Sequence, residues 1–162
     1  HQTRREGEMT PEPDAPENTA KPFDPLALDH QLCFALYAAA NRVIRLYRDQ
    51  LEPLGLTYPQ YLTLLVLWER DDRLVGEVGE ALSLDSGTLT PLLKRLETAG
   101  LVIRTRDAAD ERRVRITLTK QGRALRAEAV DIPTRIACEM GLSLETLVQL
   151  KQTLTSLAAD QN

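Results

Sequence analysis

The fold of this chain is decided by the stretch LDSGTLTPLLKRLE, residues 84–97. Its leucines recur at helical spacing, and Asp85 and Ser86 are favourable residues for a helix cap. The stretch therefore predicts a helix that stops at Gly100. Pro91 lies inside it and removes one backbone donor, which predicts that the helix begins late or bends.

The neighbouring residues predict a complete DNA-reading unit around this helix. A short helix is predicted just before it, around Val78 and Leu82, with a tight turn between the two. Residues 101–106 and 113–118 have strand patterns, and residues 107–112 form the loop that joins them. Helix, turn, helix and hairpin in this order predict a winged helix-turn-helix. The predicted fold class is mainly α with a small β-hairpin wing.

Four further helices are predicted from apolar periodicity. Thr57 and Gln60 have the spacing of a capping box, which marks the start of the second helix, and the polar run 71–73 closes it. The final helix carries its leucines as one stripe. The predicted bounds are 26–51, 57–68, 119–138 and 144–157.

The charge distribution favours nucleic acid as a partner, although the net charge of the chain is −4. Between Lys94 and Arg126 lie ten basic and four acidic residues, a local net charge of +6. A basic cluster in an otherwise acidic protein marks one region as a candidate binding site for a nucleic acid. The alternative is a solvated basic face that has no partner.

Composition bounds the remaining possibilities. The 162 residues fit one domain, and no apolar run approaches the roughly 20 residues that a membrane span needs. Two cysteines do not make a disulfide scaffold, so we expect free thiols, a cytoplasmic protein and no membrane partner. Residues 1–22 are rich in charge and proline and are expected to form a mobile arm. We expect no cofactor and no metal.

Two groups of polar residues are candidate DNA contacts. Hydroxyl and basic groups suit phosphates and base edges, and an arginine at a hairpin tip suits the minor groove. An Asp110–Arg112 pair would hold the guanidinium in one orientation, and the alternative is that the two residues are only a turn-forming polar pair. The candidates are Ser86, Thr88, Thr90, Lys94 and Arg95 on the helix, and Asp110, Arg112 and Arg113 at the tip.

The motif residues 84–97, followed by Gly100-Leu101-Val102 and by Asp107 with residues 110–113, resembles the MarR family of bacterial repressors. The resemblance covers the chain from about residue 23 to residue 159. It implies a homodimer with intertwined terminal helices on double-stranded operator DNA. In that arrangement residues 23–52 and 120–160 form the dimerisation region, and residues 53–119 form the DNA-binding region.

The run Leu32-Cys33-Phe34-Ala35-Leu36-Tyr37 is similar to the organic hydroperoxide resistance branch of that family. The resemblance implies that Cys33 senses peroxide and that Tyr47 and Tyr58 hydrogen-bond it in the reduced form. It also matches Cys138 to the resolving cysteine of the two-cysteine subtype. Apolar neighbours would favour organic hydroperoxides over hydrogen peroxide, and we expect the pocket to include Leu32, Phe34, Leu36 and Tyr37.

Spacing along the first helix constrains how the thiol site is assembled. Cys33 and Tyr37 are four residues apart and share a helix face. Cys33 and Tyr47 lie about 21 Å apart along the helix axis, at roughly 1.5 Å per residue. They cannot bond within one subunit unless the helix breaks. A contact between them therefore requires Tyr47 of the other subunit.

The resulting hypothesis is a repressor, not an enzyme, whose reduced dimer binds its operator. Only the thiolate attacks a peroxide quickly, and tyrosine hydroxyls donating to sulfur favour that anion. Oxidation of Cys33 gives a sulfenic acid, which Cys138, expected from the partner subunit, captures as a disulfide. The tyrosine bonds then break and the DNA is released, which derepresses a peroxidase gene.

Three other interpretations stay open at this stage. The first is a repressor of the same family that is released by a small phenolic ligand in the dimer cleft. A thiol peroxidase is disfavoured, because no Arg or Thr near Cys33 is placed to activate a peroxide. This interpretation also leaves the basic winged helix-turn-helix unexplained. A zinc site at His30 and Cys33 is disfavoured as well, since no third ligand is near in sequence.

Overall fold

A computed structural model describes residues 21–159, so residues 1–20 of the expected arm lie outside the described part of the chain. The described residues form helices and a small antiparallel sheet, as the sequence predicts. Short 3₁₀ turns lie at Leu28–His30 and Glu52–Leu54. The elements are α1 Leu32–Leu51, α2 Tyr58–Glu69, β1 Arg73–Leu74, α3 Val75–Leu82, α4 Ser86–Thr98, β2 Val102–Arg106, β3 Val114–Leu118, α5 Lys120–Ala129, α6 Ile132–Met140 and α7 Leu144–Ala158.

Two predicted helix bounds are wrong. The first helix begins at Leu32, six residues late, because Gln31 is extended and separates α1 from the preceding 3₁₀ turn. His30 and Cys33 therefore do not share one helix face, which removes the basis of the zinc alternative. The helix predicted to run to residue 138 divides into α5 and α6. Pro133, in the first turn of α6, has no N–H to continue the helical bonding from α5.

Pro91 predicted that α4 begins late or bends, and the first of these alternatives is wrong. The helix begins at Ser86, directly after its cap, and Pro91 lies in its interior. The carbonyl that loses its donor to Pro91 is that of Gly87, four residues earlier. Both Gly87 and Pro91 are exposed, so water can reach this carbonyl.

The sheet contains the predicted hairpin and one additional strand. Its order is β1-β3-β2, and all pairs are antiparallel. Ile116 stands at the centre of the register, opposite Arg104 on one side and Arg73 on the other. The Asp71 carboxylate accepts a hydrogen bond from the Leu118 N–H at 2.9 Å. The residues expected to close α2 thus also attach β1 to the wing.

The buried core lies between α2, α3, α4 and the sheet, with α5, α6 and the end of α1 packed against it. Leu64, Leu89, Leu96 and Ile116 are at most 1% exposed. In contrast, α7 has no buried residue, although its leucines form the predicted stripe. The first half of α1 is also exposed to solvent, since Leu32 is 72% exposed and Tyr37 is 67% exposed. None of the described helices is long and apolar enough to span a bilayer.

A close contact joins the start of α5 to the wing. Gly122 packs so tightly against the backbone of Leu101, the residue before β2, that an added Cβ would overlap the Leu101 carbonyl oxygen. The Gly122 carbonyl accepts a 2.9 Å hydrogen bond from the Trp68 indole N–H. Helix α2, helix α5 and the base of the wing therefore meet at one residue.

We expect Gly122→Ala to lower the free energy of unfolding by about 1–3 kcal/mol, because backbone must move to admit the methyl group. Gly76→Ala is the matched control, since no atom lies within 4 Å of the added Cβ in α3. It should raise stability by about 0.4–1 kcal/mol through the unfolded state. Urea unfolding measures both changes, and equal stability of the two variants would contradict the close contact.

Candidate nucleic-acid interface and thiol site

The turn between α3 and α4 is built from local interactions. Ser83 ends α3 with φ +53°, and the Leu84 N–H donates back to the Gly79 carbonyl at 2.9 Å. The Asp85 carboxylate then caps α4 by accepting from the Thr88 N–H at 2.8 Å. This hydrogen bond holds the pKa of Asp85 below its ordinary value. The cap therefore remains charged at neutral pH and favours the helix start.

The polar face of α4 is exposed to solvent, as a helix that reads DNA must be. The opposite face is buried, with Leu89, Leu93 and Leu96 each at most 1% exposed. The predicted contact residues all lie on the exposed side, and they are Ser86, Thr88, Thr90, Lys94 and Arg95.

The tip of the wing holds the predicted ion pair. Two guanidinium nitrogens of Arg112 donate to the two carboxylate oxygens of Asp110, at 3.1 and 3.3 Å. The Arg112 backbone N–H also donates to Asp110, at 3.1 Å. These bonds, the side-chain one first, lower the pKa of Asp110. The Arg112 side chain stays 91% exposed, so the pair orients the guanidinium without hiding it.

A second ion-pair cluster, near the loop end of the wing strands, was not predicted. Arg115 on β3 donates to the Asp72 carboxylate at 2.8 Å and to the Asp107 carboxylate at 3.3 Å. Arg115 lowers the pKa of Asp72, which has the left-handed φ of +58°. The only sequence signal was the pair of acids at 71–72, and sequence alone does not show which strand they meet. The cluster joins the α2–β1 turn to the wing.

A third contact connects the wing to α4. Arg104 on β2 donates two side-chain bonds to Glu97, at 3.3 and 3.0 Å, and its backbone N–H donates a third at 3.0 Å. Arg104 lowers the pKa of Glu97. Between the wing and α4 lies a cleft of about 380 Å³, and its lining includes Thr90, Arg104, Arg112 and Arg113. Thr90 of the predicted helix residues and Arg112 and Arg113 of the tip thus line one basic cleft.

The two thiols lie near the start of α1 and near the end of α6, and both are free and exposed. Leu32, Phe34 and Tyr37 surround Cys33 in sequence, and all three are exposed, while Leu36 is half-buried. The predicted apolar pocket is therefore open to solvent in a single chain. The described residues contain no group of three or more His, Cys, Asp or Glu side chains placed to hold a metal ion.

The structure brings Tyr47 and Tyr58 together, with ring centroids 4.7 Å apart. Tyr61 joins them, at 5.5 Å from Tyr47 and 6.3 Å from Tyr58, and it meets Trp68 edge-on at 6.5 Å. Tyr61 was not among the predicted site residues, although its position three residues after Tyr58 places both on one face of α2. These three residues are called the tyrosine cluster below.

Burial controls the protonation of the tyrosine cluster. Loss of hydration, followed by the charges of Tyr61 and Tyr58, raises the pKa of Tyr47 to about 12. Burial raises the pKa values of Tyr58 and Tyr61 as well. The three phenols are therefore neutral near neutral pH, and each retains an O–H that can donate to an anion.

Helix α1 is continuous from Leu32 to Leu51 and contains both Cys33 and Tyr47. The expected axial separation of about 21 Å therefore applies, and Cys33 is remote from the tyrosine cluster of its own chain. The structure assembles the tyrosine half of the predicted thiol site within one subunit and leaves the sulfur outside it.

Sequence comparisons identify relatives of this chain. Residues 45–129 match the family described as transcriptional regulator SarA/Rot. The organic hydroperoxide resistance transcriptional regulator of Bacillus subtilis is 50% identical over 135 residues, which cover 83% of this chain and 92% of that protein.

Structural comparisons agree with these matches. Reduced AbfR of Staphylococcus epidermidis, solved bound to DNA, has a TM-score of 0.65 and 39% identity, and covers 80% of this chain and 94% of its own. The regulator BpsR of Bordetella bronchiseptica, whose DNA binding is regulated by 6-hydroxynicotinic acid, has a TM-score of 0.77 and 27% identity. That match covers 85% of this chain and all of BpsR.

The raised pKa of Tyr47 predicts a loss of stability in alkali. Between about pH 10 and 12 the folded chain retains the Tyr47 proton while the unfolded chain releases it. The contribution of Tyr47 to the free energy of unfolding is therefore complete below pH 10 and is lost as the pH rises towards 12. We expect the urea midpoint of the wild-type protein to fall more steeply across this window than that of Tyr47→Phe. Tyr37→Phe, outside the cluster, should retain the wild-type slope; a Tyr47→Phe slope equal to it would refute the assignment.

Proposed function

The chain belongs to the MarR/SarA-type transcriptional regulators, in the organic hydroperoxide resistance branch, and we propose that it is a dimeric repressor switched by oxidation of Cys33. The observation that carries the proposal is the position of the two halves of the thiol site. Cys33 and the tyrosine cluster lie at opposite ends of one unbroken helix. A second copy of the chain completes the site.

Exposed apolar surface supports the homodimer. Leu32 and Tyr37 on α1, and Leu144 and Leu157 on α7, are all more than half exposed in the single chain. Exposed apolar residues on two helices mark an interaction surface. We assign residues 23–52 and 120–160 to dimerisation and residues 53–119 to DNA binding. Intertwining of α1 and α7 with those of the partner subunit covers these side chains and brings Cys33 to the partner's tyrosines.

The tyrosine cluster suits stabilisation of a thiolate. Tyr47 and Tyr58 keep their protons because burial raises the pKa of each, so both can donate to the sulfur of Cys33. Such bonds favour the anion. The thiolate attacks the terminal oxygen of an organic hydroperoxide, the O–O bond breaks, and the leaving alkoxide takes a proton to become an alcohol. Sulfur is oxidised to a sulfenic acid as the peroxide is reduced.

Cys138 completes the switch in this proposal. Its thiol attacks the sulfenic acid of Cys33 of the partner subunit, forming a disulfide and releasing water. Cys138 is exposed near the end of α6, three residues before the left-handed Gly141 that ends this helix. Disulfide formation removes the sulfur from Tyr47 and Tyr58, shifts the winged units and releases the operator. A thiol reductant reverses the reaction and restores repression of a peroxidase gene.

The DNA-binding face follows from α4 and the wing. We place Ser86, Thr88 and Thr90 at base edges or phosphates of the major groove, with Lys94 and Arg95 beside them. Arg112, held by Asp110, is aimed at the minor groove, and Arg113 is assigned to the backbone. This is one connected unit, because the Glu97–Arg104 pair joins α4 to the wing.

A second candidate function rests on a different cavity. A space of about 340 Å³ lies between α2 and the α5–α6 region, and its lining includes Tyr61, Trp68 and Arg126. Aromatic rings and a guanidinium suit a small aromatic acid, and 6-hydroxynicotinic acid regulates the structural relative BpsR. Ligand-induced release that survives loss of Cys33 would favour this function. Repeated turnover of peroxide with a dithiol would favour a thiol peroxidase.

We expect Cys33→Ser to bind operator DNA like the wild-type protein and to remain bound when cumene hydroperoxide is added. Serine has nearly the same shape but no thiolate, so it cannot reduce the peroxide. Fluorescence anisotropy of a labelled operator measures both states. Release of the variant at the peroxide concentration that releases the wild-type protein would eliminate Cys33 as the sensor.

Cys138→Ser separates the resolving step from the sensing step. Oxidised wild-type protein should run as a disulfide-linked dimer on a non-reducing gel, and Cys138→Ser should not. Because its sulfenic acid is not captured, the variant should also recover less DNA binding with reductant after prolonged exposure to peroxide. A covalent dimer formed by the variant would remove Cys138 from the mechanism.

We expect Arg112→Ala to weaken operator binding about tenfold and to reduce the salt slope by about 1, because one groove or phosphate contact is lost. Asp110→Asn keeps the guanidinium but loses the ion pair that orients it, so its affinity should lie between wild type and Arg112→Ala. Titrations at several salt concentrations measure these quantities. An unchanged salt slope for Arg112→Ala would contradict a DNA contact at the wing tip.

A further inference from the structure

A groove at the junction of α1 and α2 is not used by the mechanism above. Its volume is about 540 Å³. Apolar atoms of Ile44, Leu56, Tyr58 and Pro59 form most of its named walls, and two charged side chains, Arg48 and Glu52, line its α1 side. A groove of this kind suits a small molecule with an apolar body and one charged group.

The walls of the groove are held by local bonds. The chain reverses at Gly55, whose φ of +69° is readily adopted by glycine. The Leu56 N–H then donates to the Leu51 carbonyl at 3.2 Å. The capping box at Thr57 and Gln60 fixes the entry into α2, with the Thr57 N–H 2.9 Å from the Gln60 side-chain oxygen. The groove is therefore formed before any ligand binds.

Tyr58 connects the groove to the proposed thiol site. It lines the groove and belongs to the tyrosine cluster, with its ring 4.7 Å from that of Tyr47. A molecule lying in the groove therefore ends beside the two phenols that are assigned to hold the thiolate of Cys33 of the partner subunit. One end of the groove thus lies where the peroxide bond must meet the thiolate.

We infer that this groove binds the organic part of the hydroperoxide, and that Arg48 gives the sensor a preference for hydroperoxides that carry a carboxylate. The inference rests on the proposed function and extends it to the class of inducer. In the bound compound the carboxylate pairs with Arg48 and the carbon body contacts Ile44 and Leu56. The hydroperoxide group points to Tyr58.

The charges in the groove allow this preference. Within residues 21–159, Arg48 donates no side-chain hydrogen bond and forms no ion pair closer than 4 Å, although Glu52 follows it by four residues. The guanidinium is thus available to a bidentate carboxylate. Glu52 repels the same anion, and Arg48 is exposed to solvent, so the preference is modest.

The reaction has the same balance for an acidic hydroperoxide as for a neutral one. The thiolate attacks the terminal oxygen, the O–O bond breaks, and the alkoxide takes a proton from water. The sulfur loses two electrons and the peroxide gains them. The carboxylate is unchanged, so a charge preference alters binding of the inducer and not the chemistry.

A matched pair of inducers tests the inference on the full-length dimer. The pair is 4-carboxycumyl hydroperoxide and its methyl ester, which share the same peroxide and differ in charge. The concentration that releases half of the operator should be about three- to tenfold lower for the acid with the wild-type protein. Arg48→Gln should remove this preference, Arg48→Lys should retain part of it, and Glu52→Gln should increase it.

Arg42→Gln is the control, because it removes the same charge about 120° around α1 from Arg48 and should keep the preference for the acid. Equal response to acid and ester in wild type and Arg48→Gln, with release still dependent on Cys33, would overturn this inference alone. Release by neither compound would overturn the proposed function as well.

A second variant tests the groove without changing any charge. Ile44→Phe fills part of the space at a residue that is 37% exposed and outside the buried core. It should raise the required concentration of 4-carboxycumyl hydroperoxide more than that of the smaller tert-butyl hydroperoxide. An equal change for both peroxides, or no change for either, would show that the groove does not hold the organic part.

Discussion

The buried leucine face of α4 is the interaction on which the DNA-binding half depends. Leu89, Leu93 and Leu96 are at most 1% exposed, and each contributes roughly 1.5–3 kcal/mol through burial. Their packing determines the direction of the opposite, polar face. The Glu97–Arg104 ion pair then fixes the position of the wing relative to α4. The recognition helix and the wing are consequently presented to DNA as one unit.

The part of the chain outside this unit differs, because its apolar side chains are largely exposed. Helix α7 and the first part of α1 bury almost nothing within the subunit, and they carry the apolar surface that the proposed dimer covers. Cys33 lies in this part, and Cys138 is exposed on α6, which packs against the core. Because the core of the winged unit does not include either thiol, chemistry at sulfur can change how two subunits are related without unfolding the part that contacts DNA.

Sequence predicted the elements that have a local cause. The caps at Asp85 and Thr57 and the alternation in the hairpin are interactions between near neighbours, and the structure confirms the elements that they mark. Strand β1 was missed because two residues contain no pattern, and it exists only by pairing with β3. The role of Tyr61 was missed for the same reason, since its contact with Tyr47 joins two helices.

The unbroken helix α1 fixes the distance between the two parts of the proposed sensor that it carries. Cys33 and Tyr47 stand fourteen residues apart on one unbroken helix. In the proposed dimer, each of them meets the opposite end of α1 of the partner subunit. One inserted residue between them would advance the helix by about 1.5 Å and rotate it by about 100°. Two-fold symmetry would repeat the error at the second site. The tolerance of redox sensing to change in this segment is therefore governed by its residue count as well as by its side chains.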